Sequence, residues 1–289
     1  MIKYAMSVAS LSIITAHAQC PAPAPSPTPA PTNPGIIWGV TIDDISNLGT
    51  ISSDLSALKI KPMARIVFDY GQPASYYRTA AVSFHSIGGV LGELADSSDM
   101  KKYSQSSYTS KMSSYLSALG DVVDIWEIGN EVNGAWAGSP SAVSSKVSAA
   151  YDIAHNAGKK TALTLYYNVG CETNSAENIW TWVSANLPAR MYQGLDYVLI
   201  SYYEEDCNNL VPDWNSVFTK LSSIFPSAKV GFGEVGTTKT DKAAYMTRYY
   251  NYNPPVNNYI KGGFWWYWRE DGVPSTQPLW STLNHLMGG

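Results

Sequence analysis

The chain has 289 residues, of which 45% are hydrophobic, 12% aromatic and 15% charged, and its formal net charge is −4 at pH 7. The hydrophobic fraction can fill a core, which excludes a disordered or collagen-like chain. The small negative charge, without basic blocks, argues against nucleic acid as a partner, and three cysteines are too few for a disulfide-built scaffold.

Residues 1–18 are typical of a secretion signal. Lys3 supplies the positive charge, Ala5 to Ala16 form a mostly apolar run, and Ala16-His17-Ala18 is a small-x-small cleavage site. The apolar run is too short to span a membrane, which needs about 20 residues, and no later stretch is long enough either. We therefore expect a secreted or extracytoplasmic protein with no membrane span.

Residues 19–34 form a proline-rich linker, with 7 of the 17 prolines of the chain between positions 20 and 34. Such a composition favours an extended polyproline II spacer. Cys20 offers an alternative, a lipoprotein signal with lipid anchoring at this cysteine. Gln19 argues against that alternative, because it is bulky where such a signal has a small residue.

From residue 35 onward, short apolar runs alternate with longer segments of helical spacing, which indicates a parallel sheet. The predicted strands are Ile36–Thr41, Ala64–Phe68, Ile87–Leu91, Val123–Ile128, Thr161–Tyr166, Tyr197–Tyr202, Lys229–Gly233 and Gly263–Trp268. Eight such repeats match the size of a single-domain (β/α)8 TIM barrel over residues 35–289.

Helical spacing is clearest in four segments, around Leu55, Met112, Ile153 and Leu221. The second and third helices are the weakest predictions, because residues 71–86 and 96–107 are polar and irregular. A doubly wound open sheet is the structural alternative. It would usually carry a glycine-rich turn after the first strand, and residues 38–43 contain none.

Two predicted strands end in a carboxylate. Asn130-Glu131 follows strand 4, and Glu234 ends strand 7. Strands 4 and 7 of a closed barrel face each other across its mouth, so the two carboxyl groups can converge there. Hydrolysis of a glycosidic bond needs two carboxyl groups of different protonation, one to protonate the leaving oxygen and one to attack or stabilise the anomeric carbon. Both glutamates could instead be helix caps or ion-pair partners.

At these motifs the sequence resembles glycoside hydrolase clan A, the retaining (β/α)8-barrel enzymes with catalytic glutamates at the ends of strands 4 and 7. The resemblance implies that Glu131 is the acid/base and Glu234 the nucleophile, and that Arg65 hydrogen-bonds the nucleophile. It also implies an aromatic or histidine side chain after strand 6, for which we expect Tyr202, with Tyr203 as the alternative.

The same resemblance implies a tryptophan floor under the sugar at the end of strand 8. Trp265, Trp266 and Trp268 are candidates, and Trp268 is expected because it lies nearest the strand's end. Trp136 is a further aromatic platform, and Asn130 is placed to hold a sugar hydroxyl. Arg65 should lower the pKa of Glu234, whereas Glu131 should stay protonated near neutral pH.

Other sites are not indicated by the sequence. Histidines lack metal-ligand spacing, and no nucleophile elbow or phosphate loop is present, so we expect no metal and no cofactor.

Cys171 and Cys207 follow the neighbouring strands 5 and 6, and export favours a disulfide between them, the alternative being two free thiols. Glu204-Glu205-Asp206 after strand 6 is expected to be a solvated acidic loop, the alternative being a site for a cation or an extended substrate. Asp43, Asp69 and Glu93 lie near the ends of strands 1 to 3, where each could be a subsite hydrogen-bonding group or a helix cap.

Together these features predict a secreted, monomeric retaining glycoside hydrolase whose partner is a β-linked polysaccharide or oligosaccharide. Short loops favour an open cleft and therefore endo-cleavage. The two catalytic carboxyl groups should lie about 5–5.5 Å apart. The alternative is a carbohydrate-binding barrel that has lost its activity.

Overall fold

The computed structural model describes residues 36–289, whose strands form one closed barrel of eight parallel strands in the order β1 to β8. The strands are β1 Ile36–Ile42, β2 Met63–Val67, β3 Val90–Glu93, β4 Ile125–Glu127, β5 Lys160–Tyr166, β6 Tyr197–Tyr202, β7 Lys229–Val235 and β8 Lys261–Trp265. The closed order confirms the predicted TIM barrel and rules out the doubly wound sheet. The predicted signal 1–18 and linker 19–34 lie outside the described residues.

Helices fill the connections between the strands. They are α1 Leu48–Ala57, α2 Ala74–Ile87, α3 Gln105–Leu119, α4 Pro140–Asn156, α5 Ile179–Asn186, α6 Ala189–Gly194, α7 Trp214–Ile224, α8 Lys242–Tyr250, α9 Trp268–Asp271 and α10 Pro278–Leu286. Two short 3-10 turns matter for the site, Ser97–Lys102 after β3 and Ala135–Ala137 after β4. Between residues 36 and 289, no helix is both long and apolar enough to cross a membrane.

The polar segment before β3 is a regular helix and displaces the predicted third strand. Helix α2 buries Tyr77, Ala80, Ala81 and Phe84, a helical spacing carried largely by alanine and tyrosine. The helix extends to Ile87, and the strand begins only at Val90. Between them Gly89 has a φ of +113°, a conformation that favours glycine.

The inside of the barrel is filled by two kinds of side chain. Seven buried apolar residues form one cluster across it: Ile37, Leu91, Ile125, Ala162, Leu199, Ile260 and Phe264. Further along β2, β3 and β4 the inward positions carry Arg65, Glu93 and Glu127, all buried. Because inward positions alternate along a strand, the polar groups lie two residues beyond the apolar ones and towards the strand ends.

A bulge between β6 and β7 sets the direction of the strand-7 carboxylate. Ile200 is paired with Phe232, but Tyr202 is paired with Val235, so β7 has one residue more than β6 over this stretch. A side chain at Gly233 would meet Leu199 and Thr164 inside the barrel, whereas the next residue, Glu234, also points inward to its partners. The bulge therefore breaks the alternation of β7 at the position that carries the carboxylate.

Candidate active site

One cavity of 420 Å³ opens at the carboxyl ends of the strands. Glu131 and Glu234 both line it, as the sequence predicts for strands 4 and 7 of a barrel mouth. The remaining lining comes mostly from the loops after β3 to β8: Asp96, Ser97, Gly134, Ala135, Trp136, Tyr166, Asn168, Cys171, Glu172, Thr173, Glu177, Tyr203, Asp206, Trp266 and Tyr267.

Glu131 is buried and accepts one hydroxyl hydrogen bond on each carboxyl oxygen. The Ser97 hydroxyl donates to Oε2 at 2.7 Å, and the Ser201 hydroxyl donates to Oε1 at 2.6 Å. The backbone φ of Glu131 is +45°, a left-handed conformation that is costly for a side chain of this size. Strain of this kind is found mostly at functional sites, because only a rigid surrounding structure can maintain it.

Glu234 is buried as well, but its hydrogen-bond donors include a permanent charge. Nη1 of Arg65 donates to Oε2 at 2.8 Å, and the amide of Asn130 donates to the same oxygen at 3.3 Å. The Tyr203 hydroxyl donates to Oε1 at 2.7 Å. These donors favour the ionised carboxylate, which is the form a nucleophile requires.

Three buried carboxyl groups share the single Arg65 guanidinium. Glu127 takes a bidentate contact, from Nε at 2.7 Å and from Nη2 at 3.1 Å, and its Oε1 also accepts the Thr164 hydroxyl at 2.5 Å. Glu93 lies 3.1 Å from Nη2, but neither of its oxygens has a hydrogen-bond partner among the described residues. Glu127 thus anchors the arginine, and Glu93 is the weakest-held carboxyl of the three.

The pKa values of the two cavity carboxyls respond differently to their surroundings. Burial and the neighbouring charge of Glu234 raise the pKa of Glu131 to about 8, and the two serine hydroxyls oppose this rise only in part. Burial also raises the pKa of Glu234, but here Arg65 and Tyr203 act in the opposite direction. Arg65 therefore pulls the pKa of Glu234 downward as expected, although burial outweighs it.

The tyrosine beside the strand-7 carboxylate is Tyr203, and the expectation of Tyr202 fails. Tyr202 is the last residue of β6 and points outward, where it packs edge-on to Trp214 and donates to the Leu210 carbonyl oxygen at 2.6 Å. Ser201 and Tyr203 share the inward face. The parity of this strand end could not be read from the sequence, because both neighbouring positions carry tyrosine.

Trp268 does not form the floor expected at the end of strand 8. Strand β8 ends at Trp265, and Trp268 begins helix α9 with its side chain completely buried. Trp266 lines the cavity instead, with its ring 5.9 Å from Cζ of Arg65. Trp136 also lines the cavity, as the sequence suggested, and 36% of it is exposed.

The loops at the mouth are joined by a disulfide between Cys171 and Cys207, and Cys171 forms part of the cavity wall.

Neither Asp43 nor Asp69 lines the cavity. Asp43 lies 3.7 Å from Arg269, and Asp69 accepts a hydrogen bond from the Tyr77 hydroxyl at 2.8 Å. In the described part of the chain, no cluster of histidine, cysteine and acidic side chains could hold a metal ion.

Sequence reasoning missed Ser97, Ser201 and Glu127, the residues that hold the catalytic candidates in place. Glu127 had a readable signal, since it lies on the same face of strand 4 as Ile125 and would point into the barrel. The two serines had none. Serine is common in this chain, and only the folded structure brings residues 97, 131 and 201 together.

No protein-family model matches the chain, and no curated protein sequence matches it. Among solved structures, a mutant of Gas2p from Saccharomyces cerevisiae in complex with laminaritetraose and laminaripentaose aligns over 89% of this chain with a TM-score of 0.54 and 14% identity. This chain spans 64% of the Gas2p chain. A GH26 β-mannanase from Bacteroides ovatus aligns over 89% of this chain and 88% of its own, with a TM-score of 0.55 and 10% identity. At these identities the likeness shows the barrel fold alone.

Proposed function

We propose that this protein is a retaining glycoside hydrolase that cleaves a β-linked glycan by double displacement, with Glu234 as nucleophile and Glu131 as acid/base. One observation carries the proposal: two buried carboxyl groups line one cavity in opposite electrostatic settings. Glu131 meets only neutral hydroxyl donors, whereas Glu234 contacts a guanidinium. Pairs of carboxyls whose environments separate their protonation are characteristic of glycoside hydrolysis.

In the first step, Glu131 gives its proton to the glycosidic oxygen while Glu234 attacks the anomeric carbon. The bond to the leaving group breaks, and an ester forms between the sugar and Glu234. Glu131 is then ionised, and the Ser97 and Ser201 hydroxyls are already placed to donate to its two oxygens. In the second step, Glu131 takes a proton from water, which attacks the anomeric carbon and releases Glu234.

The charge of the site stays constant through the first step. The negative charge of Glu234 disappears into the ester as Glu131 becomes negative, so Arg65 faces the same total charge before and after. Arg65 and Tyr203 hold Glu234 in place for attack, and the buried Asn130 amide adds a neutral donor to the same carboxylate at 3.3 Å.

The cavity lining favours a neutral glycan. Apart from tyrosine and the disulfide-bonded Cys171, its ionisable side chains are all carboxylic acids, including Asp96, Glu172, Glu177 and Asp206 in addition to the catalytic pair. A polyuronate would meet like charge there. Trp136 and Trp266 offer apolar ring faces for pyranose rings. We propose endo-cleavage of a neutral β-linked polysaccharide outside the cytoplasm, where the disulfide would persist.

The test is product analysis with the purified full chain on laminarin, mannan, galactan, xylan and other neutral β-glycans, with early products followed by proton NMR. We expect cleavage of at least one polymer, with the β-anomer appearing first. Glu234→Ala should abolish turnover and retain glycan binding. Glu131→Gln should slow the cleavage of poor leaving groups far more than that of activated aryl glycosides.

Glu270→Gln is the matched control, because Glu270 is an exposed carboxylate outside the cavity. It should cleave at the parental rate. An α-anomer as first product would contradict the retaining mechanism, and full turnover by Glu234→Ala would contradict the nucleophile assignment. Binding without cleavage on every polymer would favour a carbohydrate-binding barrel.

A further inference from the structure

A chain of two hydrogen bonds leads from the cavity surface to the acid/base candidate. The indole Nε1 of Trp136 donates to Oγ of Ser97 at 2.8 Å, and the Ser97 hydroxyl donates to Oε2 of Glu131 at 2.7 Å. Trp136 is one-third exposed on the cavity wall, whereas Ser97 and Glu131 are buried. A side chain placed to touch a bound glycan is therefore hydrogen-bonded, through one serine, to the catalytic carboxyl.

The chemistry of the three groups fixes the direction of these bonds. An indole N–H can only donate, so Ser97 Oγ must accept from Trp136. An ionised carboxylate can only accept, so ionised Glu131 receives the single hydroxyl proton of Ser97, which stabilises its charge. The first bond polarises the second, since hydrogen bonds in a chain strengthen one another in a buried setting.

Both 3-10 turns are built to hold this arrangement. The Asp96 side chain accepts from the Ser98 amide at 2.8 Å and so caps the turn that carries Ser97. Nζ of Lys146, in helix α4, donates to the Met100 carbonyl oxygen at 2.6 Å and ties the end of that turn to the protein core. The Trp136 ring lies on Gly134, where a Cβ would come within 2.5 Å of the ring.

We propose that Ser97 is a positioning residue and that Trp136 acts through it: the indole N–H orients the Ser97 hydroxyl onto Glu131, and so couples the sugar-binding wall to the protonation of the acid/base. This inference rests on the proposed function for its catalytic meaning. The coupling itself is a property of three side chains and can be measured without substrate.

Other groups around Glu131 also influence its titration, and the coupling must be separated from them. The titratable groups that face Glu131 are Glu234 from β7, Tyr203 after β6, Tyr166 from β5 and Asp96 after β3. None of them takes part in the Trp136–Ser97 hydrogen bond. Tyr166 packs edge-on to the Trp136 ring, with centroids 5.1 Å apart, and Trp136→Phe keeps a ring at that position. A double-mutant cycle with Ser97 then separates the coupling from this contact, because an effect through Tyr166 would persist without the Ser97 hydroxyl.

The experiment follows the carboxyl carbon of Glu131 by NMR in the full chain labelled with ¹³C-glutamate, the signal being assigned by its loss in Glu131→Gln. Ser97→Ala should raise the pKa of Glu131 by roughly half a unit to one unit, because the ionised form loses a donor. Trp136→Phe, which keeps a ring but lacks the N–H, should raise it by less. When it is combined with Ser97→Ala, Trp136→Phe should cause no further shift in the pKa of Glu131. The single variant Ser97→Thr keeps a hydroxyl and should titrate like the parent.

An unchanged titration in Ser97→Ala would overturn the inference, as would a Trp136→Phe shift of equal size with and without Ser97. A Ser97→Thr variant that titrates like Ser97→Ala would also count against it, because the hydroxyl would then be irrelevant. Where a glycan is cleaved, the alkaline limb of kcat/KM should move with the pKa of Glu131. If no glycan is cleaved, the proposed function fails, while the NMR cycle still decides the coupling.

Discussion

The two parts of the barrel interior are filled by different kinds of side chain, apolar in one part and charged in the other. One part is filled by seven apolar side chains, among them Ile37 and Leu199. The other, towards the strand ends, buries Arg65 among the carboxyls of Glu93, Glu127 and Glu234. Apolar burial stabilises the fold at about 25 cal/mol per Å² and needs no partner. Buried charges cost free energy and must be paired to be tolerated.

Under the proposed function, one part of the barrel interior serves stability and the other serves chemistry. One guanidinium cannot neutralise three carboxylates, so some carboxyl groups of the polar part must be protonated in order to be buried. Burial raises the pKa of Glu93 well above its ordinary value, and it raises those of Glu131 and Glu234 too. Raised folded-state pKa values of buried carboxyls destabilise the fold at neutral pH. They also keep an acid protonated at neutral pH, as the proposed glycoside hydrolysis requires.

The largest expected effect comes from Arg65→Met, which removes the only cation that contacts this carboxyl cluster in the described structure. We expect a loss of unfolding free energy of about 3–5 kcal/mol at pH 7.5, because buried carboxylates are left uncompensated. Turnover should fall at least about a hundredfold as Glu234 loses its charged donor. Without Arg65 the folded-state pKa values of Glu93 and Glu234 rise further, so the stability loss should shrink towards pH 4, where both states bind protons.

Ile37→Ala is the matched substitution in the apolar part. It should lower the unfolding free energy by about 2–5 kcal/mol through lost burial and a cavity. The loss should be the same at pH 4.5 and pH 7.5, and kcat/KM should stay near the parental value. Urea unfolding of both variants at the two pH values measures the contrast. Equal pH dependence in the two variants would refute the division of the interior into a stability part and a chemistry part.

An intermediate effect of opposite sign is expected for Glu131→Gln. The folded-state pKa of about 8 lies above the unfolded value, so the parent loses stability as pH rises from the unfolded pKa towards 8. The neutral amide removes this loss, and stability should increase by on the order of 2 kcal/mol at pH 7.5, with little change at pH 4. Thermal unfolding across this range tests it, and a destabilised variant at pH 7.5 would disprove the assignment of a raised pKa.

The smallest effects separate the two adjacent tyrosines. Tyr203→Phe removes a hydrogen bond to the charged Glu234 and should lower kcat by about ten- to a hundredfold. Tyr202→Phe removes a hydrogen bond to the Leu210 carbonyl oxygen and should cost about 1 kcal/mol of stability without a change in kcat. Steady-state kinetics and urea unfolding of both variants decide the matter. A larger kcat loss in Tyr202→Phe would reverse the assignment.

Local patterns in the sequence were enough to predict the fold and the two carboxylates. Strands such as Tyr197–Tyr202 show as apolar runs between helical segments, and eight repeats indicate the barrel. Glu131 and Glu234 follow from topology, because every strand end of a parallel barrel lies at the same mouth. The boundaries were less secure where alanine and tyrosine carry a helix face, as in α2, and where aromatic residues continue past the end of β8.

Only the tertiary structure decided which neighbouring side chain points into the site. The β7 bulge turns Glu234 inward, the parity of β6 selects Tyr203 over Tyr202, and the start of α9 buries Trp268. The hydrogen bonds of Ser97 and Ser201 to Glu131 likewise join residues 34 and 70 positions apart. Sequence periodicity reports an average direction along one strand. The orientation of a single side chain depends on register and on contacts between distant segments, which form only when the barrel closes.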